Sequence, residues 1–336
     1  MKYGILLWPH ANSRYQEAVE PLALAELRLL LSATGIQAEV NTQTVCGASL
    51  LCFESEPLTP RQCALIERHS MMYLLCVVQG DLLQPIGGKT PPYLGSDLSG
   101  ILKYKGKTNE AFTRLLMNLS LCASDFTDRF DDKLALIDPM CGRMTTLFEA
   151  VNRGYDAYGI DCDSKELSEG LKFFKKYLEY HRFKHQACEQ SLTLQGKLSA
   201  RLRTFDFAND PQAYKEGKTI HLAGIGQDSE LSLNALGKEK FHLAAFDLPY
   251  GVQRGPGGKD SFEQLLKRTL IALKRTLKKG GAVAISFNSY TLPTQAARQL
   301  LETAGFAVMS GGDYNEFKHW VEQAIVRDIV IGKKTK

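Results

Sequence analysis

Leu134-Ala135-Leu136-Ile137-Asp138-Pro139-Met140-Cys141-Gly142-Arg143-Met144-Thr145-Thr146-Leu147-Phe148-Glu149-Ala150 decides how this chain is read. An apolar run ends in an acid, a turn follows, and helical spacing begins. Open α/β sheets place their ligands at the carboxyl ends of strands. Gly142 lets the backbone come close to such a ligand. A dinucleotide fold would carry Gly-x-Gly-x-x-Gly here to hold a pyrophosphate. This turn offers one glycine and an acid instead. An acid repels a pyrophosphate but suits a positively charged sulfonium cofactor, which points to S-adenosyl-L-methionine. Asp138 is the expected acceptor for the ammonium of its methionine part. Met140, Cys141, Gly142 and Thr145 complete the expected cofactor loop.

The flanking sequence alternates between strand and helix patterns. Strands are predicted at 134–137, 157–160, 219–223, 241–246 and 282–287, with a last one at about 321–331. Helices are predicted at 145–153, 164–180, 262–279 and 294–304. Ser164 is the expected cap of the second, and Gly280-Gly281 is read as a plain stop for the third. Alternation of this kind predicts a mostly parallel sheet covered on both faces. Residues 181–240 are the least clear and read as an insertion or loop. His181 and His185 have the i, i+4 spacing of a metal pair. No third ligand is evident, so a basic surface is favoured and no metal is expected.

Two further cofactor acids follow from strand order. Asp161, in Tyr158-Gly159-Ile160-Asp161-Cys162-Asp163, ends the second strand and is expected to bind ribose hydroxyls. Asp163 is second to it, and a helix cap is its competing reading. Asp228 follows the third strand and is assigned to the adenine amine, with Asp206 as the rival.

The fourth strand ends in Phe246-Asp247-Leu248-Pro249-Tyr250-Gly251, the (Asp/Asn/Ser)-x-Pro-(Tyr/Phe) form of an amino-methyltransferase loop. An exocyclic amine on a base is a poor nucleophile, because its lone pair is delocalised into the ring. Asp247 and the Leu248 carbonyl can each accept one N–H, which frees that lone pair for in-line attack. Pro249 fixes the backbone and adds no competing donor. Tyr250 is a platform for a flat base, worth roughly 1–3 kcal/mol. Arg254 and Lys259, in the glycine-rich stretch that follows, are expected to meet substrate phosphates.

The N-terminal 90 residues read as a small α+β unit, ferredoxin-like or THUMP-like, with a possible role in substrate recognition. Its strands are predicted at 3–8, 37–40, 49–53 and 73–78, its helices at 17–33 and 59–69. Thr59 is the expected cap and Pro60 the first helical residue. A linker dense in Pro and Gly spans 84–92, and a further helix is predicted at 109–124. The expected division is therefore 1–90 and 95–336.

Charge is uneven along the 336 residues. Residues 1–100 hold 6 Lys and Arg against 9 Asp and Glu, whereas 101–336 hold 35 against 28. The positive excess lies with the motifs and suits a phosphate-rich substrate. The eight cysteines form no Cys-x-x-Cys pair, and several sit in apolar runs. The start, Met1-Lys2-Tyr3-Gly4-Ile5-Leu6-Leu7-Trp8-Pro9-His10, reads as a strand and not as a secretory leader. No membrane span is expected, and a reducing cytoplasm is the expected location.

The two segments together resemble the RNA methylase family that includes the THUMP-containing tRNA (guanine-N2) methyltransferases. The resemblance covers about 95–335, and Leu102–Thr113 is similar to the segment that precedes the cofactor loop there. It implies a Rossmann-like class I methyltransferase fold, with seven strands and a reversed last strand. It also implies methylation of a guanine amine in structured RNA, tRNA first, with the 102–113 segment closing over the methionine end of the cofactor. A small activator protein is left open as a further partner. Met144 stands where the family carries a second glycine, which places a bulky side chain beside the cofactor. A methyltransferase of DNA adenine or cytosine amines, or of a protein glutamine, would use the same acceptors. A non-catalytic RNA-binding protein with a degenerate cofactor site is the alternative of another class.

Overall fold

The computed structural model describes residues 1–9, 13–88, 90–104, 106–194, 198–249 and 262–335. The chain divides into two compact units, Met1–Thr90 with Ser310–Ile329, and Pro91–Met309 with Val330–Lys336. Residues 310–329 thus group with the first unit, where a single cut at 90–95 would leave them in the second.

The first unit runs β1 (Lys2–Leu7), α1 (Ser13–Ala33), β2 (Asn41–Val45), β3 (Ala48–Glu54), α2 (Pro60–Ile66), β4 (Met72–Gln79) and β5 (Leu82–Pro85). Its sheet has the order β2-β3-β1-β4-β5 with antiparallel neighbours. Without the added β5, this is the βαββαβ order of ferredoxin-like folds. The strand expected at 37–40 lies instead at Asn41–Val45, after an irregular stretch. Thr59 caps α2 in a reciprocal box with Gln62. Glu26 of α1 is buried, and Ser70 satisfies it through its N–H at 2.9 Å and its hydroxyl at 2.5 Å. Arg28 of the same helix meets Asp313 at 3.1 Å.

The second unit continues with α3 (Leu98–Ile101), α4 (Glu110–Ala123), β6 (Ala135–Asp138), α5 (Thr145–Asn152), β7 (Asp156–Asp161) and α6 (Ser164–Tyr180). Next come β8 (Lys184–Leu194), β9 (Leu198–Ala208), α7 (Pro211–Lys215), β10 (Ile220–Gly226), α8 (Ser229–Leu236) and β11 (Phe241–Asp247). The chain ends with α9 (Phe262–Thr276), β12 (Leu277–Asn288), α10 (Thr294–Thr303), β13 (Ala307–Met309), β14 (His319–Glu322) and β15 (Ile325–Lys333). The strand expected at 321–331 is thus divided between β14 and β15.

The large sheet has the order β13-β15-β12-β11-β6-β7-β10-β9-β8. Counting only β6, β7, β10, β11, β12, β13 and β15, the order is 3-2-1-4-5-7-6. The pairs among β12, β11, β6, β7 and β10 are parallel. Gly280 N–H donates to Lys334 O and Lys334 N–H to Gly281 O, which sets the end of β15 beside the start of β12. The last strand is therefore reversed, and this is the Rossmann-like seven-stranded arrangement of class I methyltransferases. Every residue of β11 is buried except its final Asp247, as a strand covered on both faces requires.

The unclear region begins with an antiparallel hairpin, β8 with β9, added beside β10, and goes on through α7, β10 and α8. His181 ends α6 while His185 lies on β8, so the two do not share a helical turn. Among the described residues, no helix is long and apolar enough to cross a membrane.

Gly280-Gly281 is more than a helix stop. The helix ends at Thr276, and both glycines lie within β12. Gly280 has φ +76, and its carbonyl accepts the Asp125 N–H at 2.8 Å. A side chain on Gly281 would begin 2.8 Å from the His242 carbonyl and 2.9 Å from that of Lys278. Backbone atoms in a packed sheet yield little. We predict that Gly281→Ala destabilises the protein by about 1–3 kcal/mol in urea titrations; an unchanged midpoint would contradict this contact.

Candidate functional site

Asp138, Asp161 and Asp247 close three adjacent parallel strands, β6, β7 and β11, at their carboxyl ends. The loop after β6 is pinned to β7. Cys141 N–H donates to Ile160 O at 3.0 Å, and Gly142 N–H donates to Asp161 Oδ2 at 2.7 Å. Gly142 has φ +48, and nothing lies within 4 Å of where its side chain would start. The loop therefore presents open space at Gly142, as close ligand approach demands.

Gly159 is the register partner of Asp138. A Cβ there would come 2.7 Å from Cys141 Sγ and 2.8 Å from Leu147. Its absence lets the loop fold down onto β7. The signal was present as a glycine inside a strand, which marks close approach.

Met144 also has a left-handed backbone, φ +77, where glycine is the low-cost residue. Its side chain is wholly buried and lies against Gly170 of α6, where an added Cβ would meet Met144 Sδ at 2.8 Å. Its side chain is thus taken up in the packing against α6.

Asp138 is only 2% exposed and shapes the loop from within. Its Oδ1 accepts the Met140 N–H at 2.9 Å, and Thr146 adds a side-chain hydrogen bond. Burial, reinforced by the charges of Asp161 and Asp247, raises its pKa from 3.8 to about 7. Asp161 is half-buried and accepts from both Gly142 and Asp163 N–H, the latter at 2.8 Å. Burial raises its pKa despite those two bonds.

The remaining expected acids are engaged locally. Asp163, and not Ser164, caps α6, accepting from Lys165 at 3.0 Å and Glu166 at 3.2 Å. Asp228 caps α8 through Leu231 N–H at 3.0 Å. Next to it, Ser229 Oγ donates to Pro139 O at 2.6 Å and so joins this turn to the loop after β6. The rival Asp206 lies on β9, 2.8 Å from His221 Nδ1.

The segment before α4 reaches both halves of the site. Tyr104 OH is 3.2 Å from Thr145 Oγ1, and the Arg143 guanidinium lies 4.8 Å from the Tyr104 ring centroid. Thr108 Oγ1 donates to Asp247 Oδ2 at 3.0 Å. Sequence reading marked this stretch through the family resemblance, but not these side chains. Beyond Asp247, Leu248 N–H donates to Ser286 O at 2.8 Å while its side chain enters the core. Pro249 is exposed, and Tyr250, Arg254 and Lys259 lie outside the described residues.

No family model and no curated protein matches the sequence. Similar solved structures include an rRNA methyltransferase, aviRa, from Streptomyces viridochromogenes, at 14% identity and TM-score 0.41, covering 71% of this chain and 92% of that one. Another is precorrin-6y C5,15-methyltransferase from Geobacter metallireducens, at 17% and 0.40, covering 71% and 95%. A third is an rRNA methylase from Streptococcus thermophilus, at 12% and 0.37, covering 69% and 100%. With TM-scores below 0.5, these likenesses say nothing of this chain's activity.

The site's own chemistry is selective. Partly exposed carboxylates around an open loop favour a cation and disfavour a phosphate. The Asp138 proton gives a direct test. Its carboxyl titrates near 3.8 when unfolded and near 7 when folded, so the folded state binds more protons between those values. Stability from this group is full below pH 4 and is lost as pH rises through about 7. Relative to wild type, Asp138→Asn should therefore gain melting temperature between pH 5 and pH 8. A difference that stays constant across that range would contradict a buried, proton-holding Asp138.

Proposed function

We propose that the second unit is an S-adenosyl-L-methionine-dependent methyltransferase acting on an exocyclic amine of a nucleobase, with guanine N2 in tRNA as the leading substrate. One observation carries the reading. The Tyr104–Thr108 stretch is hydrogen-bonded to the loop after β6 at one end and to Asp247 at the other. A cofactor on the loop and an amine at Asp247 would therefore meet at the ends of neighbouring strands.

When bound, the cofactor supplies an electrophilic methyl group on a positively charged sulfur. The chain does the positioning. Asp161 holds the ribose hydroxyls through lone pairs its two backbone bonds leave unused. The open backbone at Gly142 admits the cofactor, with Met140, Cys141 and Thr145 shaping the loop around it. Asp138 keeps the loop in register and adds negative charge as it ionises. The turn at Asp228 borders the adenine end. Asp247 and the Leu248 carbonyl each accept an N–H of the target amine and direct its lone pair toward the methyl group. Most of the rate then comes from alignment. Tyr250 stacks on the base, which must leave its own stack to reach the site. Arg254 and Lys259 meet the phosphates beside it.

The surplus of Lys and Arg after residue 100 favours nucleic acid over a protein glutamine. The test is transfer of label from radioactive cofactor to total tRNA, rRNA, DNA and protein. We expect label in tRNA and a loss of about 100-fold or more in Asp247→Ala, with affinity for S-adenosylhomocysteine kept. Label in DNA or protein alone would remove the RNA reading, and unchanged transfer by the variant would refute the role of Asp247.

A further inference from the structure

Helix α6 leads away from Asp163 for 17 residues, about 25 Å at 1.5 Å per residue. Lys165, Glu169, Lys172, Lys176 and Tyr180 lie three or four residues apart and share one stripe of it. The upper half of that stripe borders a cavity of about 530 Å³. Gly224 and Gly226 of β10 lie at its base, and β9 forms the facing wall.

Arg201, Arg203, Phe205 and Phe207 alternate along β9 and so point to one face. The two phenylalanines pack against Phe174 of α6, with ring centroids 5.4 Å and 5.2 Å away. These contacts join helix and hairpin. The two arginines are left to the cavity. Arg203 donates to Ser168 Oγ at 3.0 Å and to Glu189 Oε2 at 2.7 Å, while Arg201 lies 3.2 Å from Glu189 Oε1 with its side chain 72% exposed. Glu189 thus holds both guanidiniums on the groove side.

The groove has a direction. Gly226 is the register neighbour of Asp161, so one end starts beside the candidate cofactor site. Beyond the other end stands Tyr180, 82% exposed, with Arg182 and Lys184 exposed beyond it. Along this track the cations outnumber Glu169, Glu179 and Glu189. A run of positive charge longer than any small ligand, ending in an open aromatic ring, suits a nucleic-acid strand.

We infer that the groove between α6 and the β8–β9 hairpin binds the phosphate backbone of the RNA substrate, with Tyr180 as a stacking surface at its far end. This rests on the RNA reading above. The test is fluorescence anisotropy of the full chain with a labelled RNA stem-loop and a DNA stem-loop of the same sequence, over a range of salt. Lys172→Gln with Arg201→Gln should weaken RNA binding about tenfold and flatten the salt dependence of log K by roughly 1.5. Glu189→Gln should strengthen RNA binding about threefold. Melting temperature and S-adenosylhomocysteine affinity should stay as in wild type for both. If wild type binds RNA and the double variant matches it in affinity and salt slope, the groove is refuted while the RNA reading stands. If wild type binds no RNA, or only the DNA, the RNA reading fails and the groove assignment with it.

Discussion

One hydrogen bond, from Gly142 N–H to Asp161 Oδ2, sets the geometry of the candidate site. It ties the loop after β6 to the end of β7 and leaves the backbone facing open space. Its neighbours follow from it. The left-handed turn at Gly142 delivers the N–H, Gly159 makes room for Cys141, and Met144 seals the loop against Gly170. Asp138 then has nowhere to go but inward, where Met140 and Thr146 satisfy it.

That closure concentrates negative charge. Asp138, Asp161 and Asp247 end adjacent strands, and the charges of Asp161 and Asp247 add to the cost of ionising the buried Asp138. A folded protein accepts such a cost where function needs it. A positive ligand would relieve it, as the sulfonium of S-adenosyl-L-methionine would. The same charges disfavour a phosphate directly at these strand ends, whereas Lys and Arg gather along α6 and the hairpin.

Much of this was legible in the sequence. Buried parallel strands read as unbroken apolar runs, so β6, β7 and β11 and their terminal acids were found to within a residue. The cap expected at Thr59 held. What was missed has physical reasons. Strand β8 is exposed along most of its length, so it carries no apolar alternation to betray it. The pair Gly280-Gly281 looks like any helix stop, because a carbonyl 2.8 Å from an absent Cβ leaves no trace in sequence. The grouping of 310–329 with the first unit depends on contacts such as Arg28 with Asp313, which span 285 positions. Asp163 and Asp228 were placed at the correct strand ends, yet helix caps and ligand contacts use the same residue types at the same places.

The central claim is that the loop around Gly142 and Asp161 is a cofactor site. Isothermal titration calorimetry of the full chain with S-adenosylhomocysteine, in wild type and Asp161→Ala, tests it most directly. The account predicts saturable heat from one site in wild type and its loss in the variant. No heat from a folded wild type, or equal binding by both proteins, would contradict it.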